Sequence, residues 1–451
     1  MIVDRVTCQV YHIENRPSEG GRSVLVQTES GLDVLGPNWT PQTAVHEWGG
    51  TAALVHNGVI YFSNSADGRL YRVVDGREPE PVTPGLSIQT SSEDKLMVVK
   101  DKPYRYACLE PHPSFSHLLV AVLEDHTIED PAQIENRIVI LDTNETSLYT
   151  LIQGSDFYAF PKFSPDGTKI AWQQWNHPDM PWDGSQICVA DLHLADHGHL
   201  SISNQTMIAG LTQKVNASFP EWASKDRLAF TSDSSGYINP WKYESDKGAP
   251  LLPEPISEDF GPPLWFLWSF PYAILDVEGR NGVFSASRRG RDMLYIIDLR
   301  NPSPAKEIET PFVLIESIRS LSKEKQQVVI FGQTATGNKG VFRLSFSKEG
   351  VATIETLTTT QGSNDLTPDL VSLPQPISLP AGEREGEVIH AIFYLPHNPQ
   401  YSGSNIPGEK PPCVVNLHGG PTFLSNQGLD WGKQYYTSRG WAWCALLLLH
   451  I

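Results

Sequence analysis

The chain has 451 residues, of which 40% are hydrophobic, 10% aromatic and 19% charged. A chain of that length and composition buries a sizeable core, which excludes disorder as its main state. With 34 Lys+Arg against 52 Asp+Glu its formal charge is −18, which argues against nucleic acid or an anionic membrane as partner, because both are held by basic patches.

The amino-terminal stretch carries Asp4, Arg5, Glu14 and Arg16 with no apolar core of a leader peptide, and the apolar uncharged runs 260–275 and 440–451 are proline-broken or too short to span a bilayer. Cys8, Cys108, Cys188, Cys413 and Cys444 form no CxxC pair, as expected of free thiols in a reducing compartment. A cytoplasmic protein is the expectation.

From residue 8 to about 360 the pattern is of short runs rich in Val, Ile, Tyr, Phe and Trp, separated by Gly, Pro, Asp and Asn turns. A diffuse repeat runs through it. Its clearest copy is FPKFSPDGTKIAWQQW at 160–175, followed by SQICVADL, and a weaker copy is FPEWASKDRLAFTSD at 219–233. Units of roughly 40 to 55 residues with three or four strands each are the signature of propeller blades. Counting QVYHIENRPSEGGRSVLVQT as the first unit gives about seven blades. A pair of β-sandwiches or a β-helix is the alternative.

After Thr360 the composition changes. Pro374, Pro376, Pro380, Gly382 and Gly386 mark a linker; VIHAIFYLP (388–396) then reads as a strand, and a Pro/Gly/Ser-rich loop runs to Pro412. The apolar strand 413–417 leads into His418-Gly419-Gly420-Pro421, a helix is predicted over GLDWGKQYYTSR with Gly440 closing it, and 441–449 is an apolar run of strand length. Strand, Gly-rich turn, helix and strand open an α/β sheet. The expected fold is therefore mainly β, with a propeller over 1–372, a linker over 373–387, and the first part of an α/β-hydrolase domain over 388–451.

A strand that ends in His418-Gly419-Gly420 suits an oxyanion-binding turn, because residues without a β-carbon let backbone N–H groups approach a developing negative charge. The alternative is an ordinary tight turn. The order of propeller, α/β segment and HGGP, together with ENRPSEGGR, VHEWGG, YFSNSADGRLYR, HPDMPWDGSQI, FTSDSSGYINPW, EDFGPPLW, NLHGGPT and TSRGWAW, resembles the prolyl oligopeptidase family of serine peptidases. Its dipeptidyl-peptidase and acylaminoacyl-peptidase-like branch is the most similar. The resemblance implies a propeller that filters access of peptides to a hydrolase carrying Ser, Asp and His. In such a site the Ser attacks, the His moves the proton and the Asp orients the His.

No G-x-S-x-G nucleophile elbow occurs in the 451 residues. The family's next turn, an Asn-Tyr-Arg-Gly-like segment with an oxyanion Tyr, is replaced by CALLLLHI. The expectation is a chain truncated early in the hydrolase, without its catalytic triad and inactive alone. A non-catalytic propeller that binds proteins or peptides is the rival reading.

Other residues invite chemistry. His46-Glu47 lacks the second His of HExxH and reads as a blade turn. Asp191, His193, Asp196, His197 and His199 have ligand-like spacing but read as a solvated loop. Glu254, Glu258 and Asp259 precede Trp265 and Trp268, and Glu258 and Asp259 are candidates to bind a substrate's amino terminus. No metal and no cofactor is expected, and a peptide is the expected partner.

Overall fold

The computed structural model describes residues 1–85, 102–128, 130–195, 198–211, 214–347, 350–360, 367–380, 388–420 and 422–447. Asp196, His197 and Pro421 lie outside the described residues.

Seven antiparallel four-stranded sheets follow one another along the chain, at 2–33, 53–81, 104–152, 157–209, 217–250, 272–308 and 312–359. We number them blades 1 to 7. Each is a meander in which neighbouring strands are consecutive in sequence, so every connection is local. The first strands of successive blades pack on one another around a central axis, and Ile2–Asp4 meets both Ala53–His56 of blade 2 and Phe312–Ser322 of blade 7. The ring is thus a closed seven-bladed propeller. The first blade starts at Ile2–Asp4, a strand earlier than the repeat in the sequence suggests.

Alternation within each blade sends apolar side chains to both faces, which is why the strands read as nearly continuous hydrophobic runs. Leu118–Asp125 is buried along all but its last residue. Among the described residues, blades 1 and 7 each take all four strands from one stretch of chain. Their junction is held by Val10 against Leu321, Val329 and Val341 and by the Arg343–Glu29 ion pair.

Three inner strands share an irregularity that sets what lines the axis. Cys108, Phe160 and Phe219 have φ of 56°, 48° and 59°, and each adjoins a register shift against the neighbouring strand. Such a bulge re-aims the residues that follow it. Two residues on, Glu110, Lys162 and Glu221 form an ion-pair chain across the channel: Lys162 Nζ lies 2.9 Å from Glu110 and 3.4 Å from Glu221, and Arg5 reaches Glu221 at 3.4 Å. The Phe-Pro-Lys and Phe-Pro-Glu copies of the repeat thus place opposite charges on adjacent blades.

The eighth sheet is mixed, in the order Gln375–Pro380, Val388–Tyr394, Ala442–Leu446, Cys413–Asn416. Its last pair is parallel, and the helix Trp431–Thr437 makes the crossover. Asp430 caps that helix by accepting from the Gly432 and Lys433 N–H groups, so it begins three residues later than the apolar pattern suggests. Gly440, at φ 87°, lies just past its end, as expected.

Two sequence expectations change here. The stretch predicted as linker supplies the strand Gln375–Pro380, paired with Val388–Tyr394 despite its prolines, because it lies on the sheet edge. Cys413–Asn416, for all the apolar character of 413–417, is the opposite edge of the sheet, and Val415 is 60% exposed.

This sheet sits on the propeller face formed by the turns between second and third strands. Gln427 bonds the Gly290 and Arg289 carbonyls at 2.9 and 3.1 Å, Gln333 donates to the Leu429 carbonyl, and Trp431 donates to Asn338. Gly290 is required there. Its φ is 73°, and a Cβ would lie 2.7 Å from Ile392 and 2.9 Å from the Ser425 carbonyl.

Candidate active site

The turn His418-Gly419-Gly420 leaves the carboxyl end of a parallel strand, where open α/β sheets place their ligand sites. Gly420 has φ 98°, a conformation that only glycine adopts without strain, and a Cβ there would come 3.1 Å from the Thr422 nitrogen. A Cβ at Gly419 would meet nothing within 4 Å, so open space lies over this backbone. His418 is half-buried, with Nδ1 2.9 Å from the Gly419 carbonyl oxygen and its ring 6.1 Å from that of Phe423.

A hydrogen bond from Trp265 Nε1 to the Thr422 carbonyl at 2.8 Å ties the turn to the propeller. Around Trp265 the propeller gathers an aromatic shelf. Trp182 lies 4.3 Å and Trp48 5.4 Å from it by ring centroids, Phe266 lies 6.0 Å from Trp48, and Trp268 is 5.4 Å from Phe266. Trp48 is 56% exposed. The shelf comes from three separate loops, those before blade 2, inside blade 4 and before blade 6. Tryptophans held this way offer large apolar area at little entropic cost, with N–H groups for orientation. Sequence reasoning passed over this shelf as a site.

Glu258 and Asp259 lie elsewhere on the propeller, between blades 5 and 6. Glu258 is 6% exposed and pairs with Arg288 Nε at 2.6 Å and the Tyr295 hydroxyl at 2.8 Å. The Glu258 hydrogen bond, acting against burial, holds the Arg288 guanidinium above its usual range, while burial and the same carboxylate push the Tyr295 phenol up. Asp259 accepts from the Ile238 N–H at 3.0 Å, and its carbonyl accepts from Ser287. A substrate amine could reach Glu258 only by displacing Arg288. Glu254 is exposed.

His46 and Glu47 form a turn with φ of 54° and 65°. The His46 N–H donates to Glu124, which also meets Arg105 at 3.2 Å and His126 at 2.9 Å. The His46 ring lies between Phe157 and Trp175, and burial lowers its pKa. This is a structural turn. Asp191 pairs with Asn204, His193 with Ser203, and His199 stacks on Tyr149 at 4.5 Å. Among the described residues no group of three or more His, Cys, Asp or Glu could hold a metal ion.

A ring of single-chain antiparallel blades carrying an α/β sheet with a strand-end glycine turn against it defines a propeller-capped α/β-hydrolase architecture. The comparisons with solved structures agree. The chain superposes on a puromycin-hydrolyzing peptidase of Mycobacterium tuberculosis with a TM-score of 0.81 and 28% identity, covering 97% of this chain and 64% of that one. It superposes on puromycin hydrolase with a TM-score of 0.81 and 23% identity, covering 98% and 65%. The likeness to a prolyl endopeptidase, with a TM-score of 0.59 and 12% identity over 98% and 58%, is of fold alone. No family profile and no curated protein matches the sequence.

In fold, and at 28% identity to the first of these structures, the chain is similar to the prolyl oligopeptidase family of serine peptidases. It spans slightly under two thirds of the length of the puromycin-hydrolyzing relatives.

Proposed function

We propose that this chain is the propeller and the oxyanion side of a serine peptidase acting on peptides with a dipeptidyl- or acylaminoacyl-peptidase-like preference. The turn at His418-Gly419-Gly420 would hold the developing oxyanion through backbone N–H groups, and the shelf of Trp48, Trp182 and Trp265 would bind an adjoining side chain. One observation carries the reading: the Trp265 Nε1 hydrogen bond to Thr422, which sets the aromatic shelf beside the glycine turn. That juxtaposition suits a substrate with an apolar or aromatic residue next to the reacting carbonyl.

Hydrolysis also needs an activated nucleophile, and the 451 residues contain no G-x-S-x-G. The chain by itself should therefore bind peptides without turning them over. No cofactor is invoked. Five free cysteines support a reducing, cytoplasmic setting, and among the described residues no helix is long and apolar enough to cross a membrane.

The test is to titrate aminoacyl and acyl-peptide chromogenic substrates against the purified chain, following tryptophan fluorescence and product release, with a fluorophosphonate probe in parallel. The expected result is saturable quenching that weakens several-fold in Trp265→Ala, no product and no labelling. Stoichiometric labelling of one serine overturns the inactivity, and unchanged quenching in Trp265→Ala overturns the shelf.

A further inference from the structure

At the end of the propeller axis remote from the glycine turn, a cavity of about 210 Å³ opens between blades 1, 2, 3, 4 and 7. It lies beside the turns that join first and second strands, and its charged walls are Arg5, Glu110, Lys162 and Arg319. Lys162 is engaged by Glu110 and Glu221, and Arg5 by Glu221. Arg319 is different. Its guanidinium lies 3.2 Å above the Phe270 ring, and among the described residues it has no hydrogen-bond or ion-pair partner; its Nε is buried and unsatisfied. Lys323, in the hairpin turn that follows the Arg319 strand, is half-buried but has Glu221, Asp276 and Glu324 near it.

Counting the three cations Arg5, Lys162 and Arg319 against Glu110 and Glu221 leaves an excess of one positive charge in a protein whose net charge is −18. A half-buried guanidinium left without an anion is costly, so such a group marks a place for one. Burial, helped by Arg5, lowers the Arg319 pKa to about 10, so it is charged at neutral pH.

The rest of the wall chooses the anion. Val3, Val55, Pro111, Phe160 and Phe270 give it an apolar side, and the volume is that of roughly seven waters at about 30 Å³ each. We propose that this cavity is a binding site for a carboxylate that carries a small apolar group, the chemistry of a peptide's C-terminal residue. The planar guanidinium, backed by Phe270, presents the paired donors that a carboxylate takes bidentately. Glu110 and Glu221 disfavour a phosphate dianion, which brings more charge and no apolar surface. The site is separate from the glycine turn and does not rest on the peptidase reading: its failure would leave that reading intact.

The experiment uses the whole 451-residue chain and isothermal titration with N-acetyl-leucine, N-acetyl-leucinamide, a tripeptide ending in free leucine, and inorganic phosphate. The free acid should bind at least 10-fold more tightly than the amide. Arg319→Gln should weaken it at least 10-fold, and phosphate should not compete. A tighter tripeptide assigns the site to peptide termini, and equal affinities assign it to small free acids. Equal binding of acid and amide, full affinity in Arg319→Gln, or tighter binding of phosphate overturns the proposal. Should Arg319→Gln fail to fold, Phe270→Leu keeps the charge but removes its backing ring, and undiminished affinity in that variant is equally fatal.

Discussion

Glu221 offers the sharpest test of how the propeller axis is held. Its carboxylate meets Lys162 and Arg5, each at 3.4 Å. Burial opposes its ionisation, but Lys162, Arg5, Lys323 and Arg319 outweigh that and hold the carboxyl down to about 2. An unpaired glutamate titrates near 4.5, and a tenfold change in proton affinity is worth about 1.4 kcal/mol, so the ionised form stabilises the fold by about 3 kcal/mol at pH 7. Because the folded-state pKa is depressed, this stability is present above about pH 4.5 and drains away as pH falls toward 2. Glu221→Gln, close in shape to the protonated acid, removes that stabilisation and leaves Arg5, Lys162 and Arg319 facing Glu110. Urea unfolding should therefore show the variant about 3 kcal/mol less stable at pH 7, with the gap narrowing to about 2 kcal/mol at pH 3.5. A gap below about 1 kcal/mol at pH 7 would place the pair among weak surface bridges. A gap that stays constant down to pH 3.5 would show that packing, not charge, is at issue; either result refutes the reasoning.

Two further outcomes are expected. Burial pushes the Asp292 carboxyl up to about 7, despite the Ile315 N–H at 2.7 Å, and Glu316 adds to it. A raised carboxyl pKa means that folding loses support as pH rises from about 4 to 7, so Asp292→Asn should raise stability by about 1–3 kcal/mol at pH 8 and hardly at all at pH 4, as thermal melts at the two pH values would show. We also propose that the propeller over 1–372 is stable without the segment 388–451, whose edge strand exposes Val415 and Leu417 at 60% and 71%. Deleting the chain after residue 380 should raise soluble yield, and limited proteolysis of the whole chain should cut first within 399–412, exposed throughout. Yield that falls on deletion, or first cuts inside the blades, would contradict this.

The local layout was legible in the sequence. Short β-type runs punctuated by turn residues at a repeating spacing reported the blades, because a meander needs only neighbouring segments to pair, and alternation and turn chemistry are written locally. His418-Gly419-Gly420 was legible for the same reason: a glycine at φ 98° is demanded by one turn. What depends on contacts between distant blades was decided only in three dimensions. VHEWGG, HPDMPWDGSQI and EDFGPPLW each carry one tryptophan of the shelf, but nothing local says that Trp48, Trp182 and Trp265 converge. Glu258 looked like a loop carboxylate open to a substrate amine, yet folding brings Arg288 and Tyr295 onto it from the next blade. Lys162 and Glu221 were visible only as unlike letters in two copies of a repeat, and became an ion pair because the inner strands of adjacent blades share one axis. Sequence by itself determined most of the blade strands and the turns between them, since those follow from each residue's own conformational preferences, whereas Ile2–Asp4 and Gln375–Pro380 became strands only through their partners. Tertiary structure alone decided which charges are paired and which, like Arg319, are left without an anion, since that depends on the summed field of blades more than a hundred residues apart.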